Sequence, residues 1–200
     1  MSDALSTIAL AAGIGWASGM RLYAVLFFLG LMHHTGVQPL PESLAPLAHP
    51  AVMAVAGTLF VTEFFADKIP GFDTLWDAVH TFLRIPGGAL LAALAVAGND
   101  PGWSIAAGLL GGIVAAGSHL TKAGARALIN TSPEPLSNWT ASASEDVLSI
   151  SVLWLALKHP LLLLAALLVF ILAVLWLAPK LWRGMKRVLR ALFGSHGSTA

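Results

Sequence analysis

The sequence LLLLAALLVFILAVLWLA, residues 161–178, contains no charged side chain. A helix needs about 20 mainly apolar residues to cross the hydrocarbon core of a bilayer. The run is followed by PKLWRGMKR, residues 179–187, whose basic residues stand where a crossing helix would leave the membrane. This stretch therefore predicts a transmembrane helix, and it sets the class of the whole protein.

Other parts of the chain have the same character. No Asp, Glu, Lys or Arg occurs at residues 22–41, 43–62 or 101–121. Only 10% of the 200 residues are charged and 57% are hydrophobic, whereas a soluble chain is about 25% charged. This composition excludes a soluble enzyme and a disordered chain. The absence of cysteine excludes disulfides and thiolate metal sites, and the net charge of +1 predicts no nucleic-acid partner.

The predicted fold is an all-α integral membrane protein with about six transmembrane helices in one domain, residues 1–178. The first apolar segment, residues 4–32, is too long for a straight crossing unless it is tilted, so we predict either a break or close helix packing near Ser18–Gly19. The fifth spans the bilayer only if it starts near Trp139 and carries Glu145 and Asp146 into the membrane. The six apolar segments lie at residues 4–32, 50–66, 85–98, 103–129, 147–157 and 161–178.

The basic residues predict the orientation. With both termini in the cytoplasm, nine of the eleven Lys and Arg residues lie inside, Lys158 lies outside and Arg21 lies within a span. Residues 179–194 are predicted to form an amphipathic helix on the anionic lipids of the inner leaflet, and residues 195–200 to be disordered. The predicted location is the bacterial inner membrane.

A weak internal similarity predicts a repeat. Residues 13–19, GIGWASG, resemble residues 112–118, GIVAAGS. Two three-helix halves, residues 1–98 and 101–178, would then be inverted relative to each other, which is a common plan of transporters. The alternative is that two membrane helices rich in glycine and alanine resemble each other by composition. The glycine pairs 87–88 and 111–112 predict close helix packing.

An acidic stretch supplies the first candidate site residues. Glu63 and Asp67 share one helix face, and a second helix, residues 70–84, is predicted to carry Asp73, Asp77 and His80 opposite an apolar stripe. We expect this second helix not to cross the membrane. The functional interpretation is a cation or proton site, and the alternative is a solvated surface helix with Asp73 as its N-cap.

Basic residues supply the counterpart. Three of them recur at helical spacing: His119, Lys122 and Arg126. They are either ordinary charges that flank a membrane helix or a binding site for an anionic group. Arg21 stands deep in the first segment, where an unpaired guanidinium is costly, so we expect it to face the protein interior and to have a partner. In one interpretation, Arg21 forms a structural ion pair between helices. In the other, Arg21 binds the phosphate or carboxylate group of a ligand.

The pair Glu145–Asp146 has two interpretations. Ser142 and Glu145 fit a capping box at the start of a helix. In the other interpretation, the helix begins inside the membrane and brings both carboxylates to the level of Arg21, Lys122 and Arg126.

Three stretches resemble a known family. They are EFFADKIPGFDTLWD at residues 63–77, GMRLY at residues 19–23, and KAGAR at residues 122–126 followed by NTSPEP at residues 130–135. Together they resemble the bacterial membrane protein family catalogued as domain of unknown function 4126. The resemblance covers nearly all of the chain except its basic tail. It implies a small polytopic protein of the inner membrane, without an assigned reaction, substrate or cofactor.

The predicted function is a small transporter or permease with a polar intramembrane site. Its ligand would be a cation, a proton-coupled solute or an anionic, lipid-linked group. The alternative is a non-transporting scaffold or partner subunit whose buried charges pair structurally. No nucleophile with a base and no metal motif appears, so we predict neither an enzyme nor a cofactor. The predicted partners are the bilayer and its anionic lipids, and self-association is left open.

Overall fold

A computed structural model describes residues 3–69, 71–98, 100–130 and 135–193. Five helices are long and apolar enough to cross a membrane, or six when the 3-10 helix and the helix after it, bent by 69°, count as one span. The predicted all-α membrane class is confirmed. The elements are α1 (Asp3–His34), a 3-10 helix (Glu42–Ala48), α2 (Pro50–Ala66), α3 (Phe72–Ala95), α4 (Pro101–Ile129), α5 (Pro135–Lys158) and α6 (Pro160–Phe193).

The chain forms two compact units, residues 1–164 and 165–200. In the second unit α6 runs without interruption through Pro179 to Phe193, so the helical tail predicted from residue 179 continues α6, and its contact with the inner leaflet stays a prediction. Near that proline, the Lys180 ammonium lies 2.9 Å over the ring of Trp176. The predicted disordered end, residues 195–200, lies outside the described residues. The candidate site lies in the first unit.

α1 consists of two helical halves that meet at Arg21, whose φ of −147° and ψ of 74° are not helical. Contacts with α5 show the path of the chain. A Cβ atom on Gly13 would lie 2.8 Å from a side chain in the last turn of α5, and Lys158, at its end, binds Gln38 at 2.8 Å. Arg21 instead contacts Ser142, roughly 20 Å earlier along α5 at 1.5 Å per residue. The chain therefore reverses direction at Arg21 and returns to the level at which it entered.

The end of α3 confirms this path. Ala11, from the first half of α1, packs in a cluster with Ala92 and Val96. Ser43, which follows the second half, donates a hydrogen bond to the Leu94 carbonyl at 2.5 Å. Both ends of α1 thus lie beside the C-terminus of α3. The predicted break occurs two residues after Gly19, and it reverses the chain, which the sequence did not indicate.

Small residues allow α1, α3 and α4 to meet closely. A Cβ atom on Gly15 of α1 would lie 2.7 Å from the Cα atom of Gly111 in α4. A Cβ atom on Gly88 of α3 would lie 2.7 Å from the Ala115 side chain and 3.3 Å from the Gly15 carbonyl. The predicted role of the glycine pairs in packing is confirmed.

The predicted non-crossing helix at residues 70–84 is wrong. It is the first half of α3, which continues through Pro86 to Ala95 and qualifies as a candidate span. Its polar face is buried inside the protein and its apolar face is exposed, as at Phe82, which is 81% exposed. Charged residues do not prevent a helix from spanning when partners inside the protein neutralise them.

Both predicted capping roles are also wrong. α5 begins at Pro135, so Ser142 and Glu145 lie inside the helix and form no capping box. The N-cap of α3 is Gly71, at a φ of 85°, and Asp73 lies within the first turn. The Asp73 carboxylate nevertheless accepts hydrogen bonds from the backbone of Gly71 and Thr74.

Candidate functional site

Ten charged side chains from five helices or their ends converge in the first unit. We call them the ionic cluster. Nine are buried, and the tenth, Asp146, has a side chain that is 14% exposed. The cluster comprises Arg21 of α1, Glu63 and Asp67 at the end of α2, Asp73, Asp77 and Arg84 of α3, Lys122 and Arg126 of α4, and Glu145 and Asp146 of α5.

Arg21 lies at the turn of α1 and connects the cluster. Its Nη1 lies 2.5 Å from Asp67 Oδ2, and its Nε lies 2.9 Å from Asp146 Oδ1. Its Nη2 lies 3.3 Å from Glu145 Oε2 and donates a hydrogen bond to Ser142 Oγ at 2.9 Å. The prediction that Arg21 faces the protein interior with a carboxylate partner is confirmed.

Lys122 lies among four carboxylates. Its Nζ lies 2.9 Å from Asp67 Oδ2 and 3.2 Å from Asp77 Oδ1. Glu145 Oε2 and Glu63 Oε1 follow at 3.5 and 3.9 Å. Lys122 therefore contacts acids from α2, α3 and α5 with a single ammonium group.

Arg84 neutralises the side of the cluster formed by α3. It forms ion pairs with Glu63 and Asp77, and its Nη1 lies 3.3 Å from His119 Nδ1. Because a guanidinium can only donate, His119 Nδ1 must accept and the ring proton must be on Nε2. Nε2 then donates to Thr81 Oγ1 at 2.7 Å, and Thr81 donates to the Asp77 carbonyl. His119 is thus held as a neutral imidazole beside the cluster.

Arg126 forms a bidentate ion pair with Glu145. Its Nε and Nη2 donate to the two oxygens of Glu145 at 2.9 Å each, which is the strong bidentate geometry of arginine and carboxylate. Its Nη1 donates to the Asp67 carbonyl at 2.9 Å and to Asn138 Oδ1 at 3.3 Å. Asp73 is held less directly, because it accepts a hydrogen bond from Asn130 at 2.9 Å.

The cluster holds six carboxylates and four cations, which leaves an excess of two negative charges when all ten groups are ionised. One oxygen each of Glu63, Asp67 and Asp77 is buried without a hydrogen-bond partner. Asp67 lies just after α2. Burial alone would raise the pKa of Asp67, but Lys122, Arg21 and Arg126 hold it below its usual range.

The structure brings together ten of the eleven residues predicted from the sequence. Nine belong to the ionic cluster, and His119 contacts it through Arg84. His80 lies apart from the ion pairs, with its ring stacked on Trp76 and edge-on to Tyr23. Among the described residues, no group of three or more His, Asp or Glu could hold a metal ion.

The candidate site residues predicted from the sequence did not include Arg84, Ser142 and Asn138. A signal existed for Arg84, because it is four residues from His80 and seven from Asp77, on the same face of α3. Ser142 and Asn138 carried no comparable signal, because neutral polar residues are common at helix starts and in loops.

The family model described as Domain of unknown function (DUF4126) matches residues 8–180. The chain belongs to this family. The match includes the whole ionic cluster and confirms the resemblance seen in the sequence. No curated protein and no solved structure matches this chain, so the role of the site in this DUF4126 protein has to be argued from its own geometry.

Proposed function

We propose that the protein is a small permease of the bacterial inner membrane whose ionic cluster takes up and releases protons or another small cation. The charge balance carries this proposal. Five buried carboxylates and the partly buried Asp146 face four cations, and uncompensated charge is costly in a medium of low dielectric constant. Uptake of positive charge from solution would remove that cost.

The reversal of α1 supports the same function. The carbonyls of Trp16 and Met20, at the end of its first half, contact the side chains of Ser118 and Lys122. Helices that are interrupted inside a membrane occur in transporters, where their exposed backbone groups coordinate ions. Irregular backbone is tolerated there only when it faces protein or a cavity. The reversal of α1 places such backbone groups at the ionic cluster.

An anionic substrate fits the site less well. Each of the four cations already lies within 4 Å of at least one carboxylate, so a phosphate or a carboxylate would have to compete with these partners, although Arg84 Nε has no hydrogen-bond partner. The excess negative charge would also repel an anion. Of the ligands considered from the sequence, the geometry therefore favours the cation and the proton.

Three finer predictions remain proposals. Residues 13–19 and 112–118 lie close together, since Gly15 packs against Gly111, but an inverted repeat of two halves stays a prediction. The cytoplasmic location of both termini, predicted from the distribution of basic residues, requires an even number of crossings; because the reversal of α1 makes that number odd, only the C-terminus is proposed to be cytoplasmic. The contact between the basic C-terminal residues and anionic lipids is also proposed on charge alone.

Currents from reconstituted protein test the permease. Proteoliposomes on a solid-supported membrane are exposed to jumps in pH, Na⁺, K⁺ or ammonium. We expect a charge displacement in at least one jump that protein-free liposomes lack. Glu63→Gln should abolish it while insertion and yield stay intact, because Glu63 is fully buried in the cluster. Glu42→Gln, an exposed position, is the matched control.

One observation favours the alternative scaffold function: every carboxylate of the cluster lies within 4 Å of a cation. If these pairs are structural, Glu63→Gln and Arg126→Ala should both be lost from the membrane. The wild type should also give no current beyond that of empty liposomes in any of the four jumps. That combination would replace the permease with the scaffold.

A further inference from the structure

We infer that the ionic cluster opens to the solution at Asp146, and that the Asp146 carboxylate is the group on which a proton from the solution first enters the cluster. Exposure identifies the opening. The side chain of Asp146 is 14% exposed and that of Glu145 is 9% exposed. The side chains of the other eight members are at most 2% exposed. Asp146 is therefore the member of the cluster that is most accessible from outside.

Asp146 is also the carboxylate that the cluster holds least firmly. Among the described residues it forms one ion pair, in which its Oδ1 lies 2.9 Å from Arg21 Nε. Neither of these two atoms forms a hydrogen bond. Arg21 has further carboxylate contacts, with Asp67 at 2.5 Å and Glu145 at 3.3 Å. A proton on Asp146 would leave the Arg21 guanidinium paired, and it would lower the excess negative charge of the cluster from two to one.

The sequence of α5 places Asp146 at the membrane boundary. Before it, Trp139, Thr140 and Ser144 are exposed, and tryptophan and polar residues are typical of the membrane interface. The uncharged stretch at residues 147–157 begins directly after it. The exposed part of Asp146 therefore lies where α5 leaves the hydrocarbon core, within reach of the solution.

A second charged side chain marks the same opening. Lys68, just after α2, interacts electrostatically with Asp146. It is only half-buried, and it donates to the Phe64 carbonyl at 3.1 Å. Because a lysine ammonium is strongly hydrated, its position indicates that water reaches this side of the cluster. The other charged groups that act on Asp146 come from α1, α2 and α5 and are Arg21, Glu63 and Glu145. The passage of the proton rests on the proposed permease, whereas the opening does not.

Thiol labelling tests the opening without any transport. The chain has no cysteine, so Asp146→Cys, Ser144→Cys and Ser149→Cys each carry one thiol. Methanethiosulfonates require a thiolate, which forms at water-accessible positions and is suppressed in apolar surroundings. In membranes opened to both faces, we expect the trimethylammonium reagent to modify Ser144→Cys and Asp146→Cys. Ser149→Cys, a buried position one turn later on α5, should react at least about tenfold more slowly.

Two reagents of equal charge test the proton. Asp146→Cys should lose most of the charge displacement that a pH jump gives with the wild type. Carboxyethyl methanethiosulfonate returns a carboxylate to this position, which can accept a proton, and should restore at least about half of the signal. Sulfonatoethyl methanethiosulfonate adds a negative charge on a group of similar size that stays ionised, and it should restore none.

Each contrary result refutes a defined part of the inference. Labelling of Asp146→Cys as slow as that of Ser149→Cys would refute the opening. Equal restoration by both reagents would mean that Asp146 contributes only its charge, and would refute the proton step. Labelling of Asp146→Cys in a protein whose wild type gives no current would keep the opening and refute the permease together with the proton step.

A second pair of variants decides if Asp146→Cys is not recovered from the membrane. Asp146→Asn keeps the shape of the side chain and removes the proton acceptor, and Asp146→Glu keeps the acceptor. We expect the pH-jump current to be lost in Asp146→Asn and retained in Asp146→Glu. A current in Asp146→Asn equal to that of the wild type would overturn the inference.

Discussion

The reversal of α1 at Arg21 predicts a distance that a straight helix cannot produce. At 1.5 Å per residue, Ser6 and His34 would be about 42 Å apart in an uninterrupted helix. With a reversal at Arg21, the two halves are about 22 and 20 Å long and end at the same level. Both halves pack against α3, and packed helices are 8–10 Å apart. We therefore expect the two positions to lie within roughly 25 Å of each other.

Spin labels can measure this distance directly. The chain has no cysteine, so a Ser6→Cys, His34→Cys variant carries only the two introduced labels, both at exposed positions. Pulsed electron paramagnetic resonance should show a main distance below about 25 Å. The control pair, Ile105→Cys with Leu128→Cys in the uninterrupted helix α4, should give about 35 Å.

A main distance near 42 Å in the first pair would refute the reversal. A membrane-impermeant maleimide gives a second readout, because the two cysteines should react from the same side of the membrane. Labelling from opposite sides would mean that α1 crosses, as its length and apolar character alone indicate. If the reversal holds, the first unit has one crossing fewer than the sequence predicted.

Two further changes test the packing and charges of the first unit. Asp67→Asn should destabilise the protein by about 1.5–3 kcal/mol because Arg21 and Lys122 lose their shortest carboxylate contact, whereas Asp100→Asn, at the exposed start of α4, should cost about 1 kcal/mol or less. The pKa of Asp67 is lowered against the effect of burial by Lys122, Arg21 and Arg126, so its contribution should be complete above about pH 4 and lost as the pH falls further. The free energy of unfolding, measured in detergent at several pH values, checks both the loss of stability and its pH dependence. Below about pH 4 it should fall less steeply with pH in Asp67→Asn than in the wild type, and an equal pH dependence would contradict the prediction. Gly15→Ala should cost about 1–3 kcal/mol because its Cβ atom would clash with Gly111, while Gly117→Ala meets nothing within 4 Å and should be neutral or stabilising.

The sequence predicted the elements that depend on local composition. Residues 161–178 are apolar throughout and lie within α6, and the glycines of α1, α3 and α4 pack as expected. The extent of α3 was predicted wrongly. Asp73 and Asp77 seemed too polar for a span, yet Arg84, Lys122 and Arg126 neutralise them inside the protein. A hydropathy pattern records the charge of a residue and not its partner.

The path of α1 could not be predicted for a different reason. The glycines and Arg21 indicated that the long apolar segment could be interrupted. The direction that the chain takes after the interruption depends on contacts with residues that are distant in the sequence. Arg21 is held by Asp67 and Ser142, and Gln38 by Lys158. These partners are 46 to 121 residues away along the chain. A single sequence contains no signal for such pairs.

The composition of the ionic cluster bears on whether its charges are only structural. Buried ion pairs stabilise a protein weakly, because desolvation offsets most of the attraction, and apolar residues of similar volume often serve as well. The helices around the cluster already pack through Gly15, Gly88 and Gly111. A structural role also predicts matched charges, whereas here six carboxylates face four cations and four carboxylate oxygens have no hydrogen-bond partner. The proposed binding of a proton or a small cation would account for both the excess charge and the unpaired oxygens, and helix packing accounts for neither.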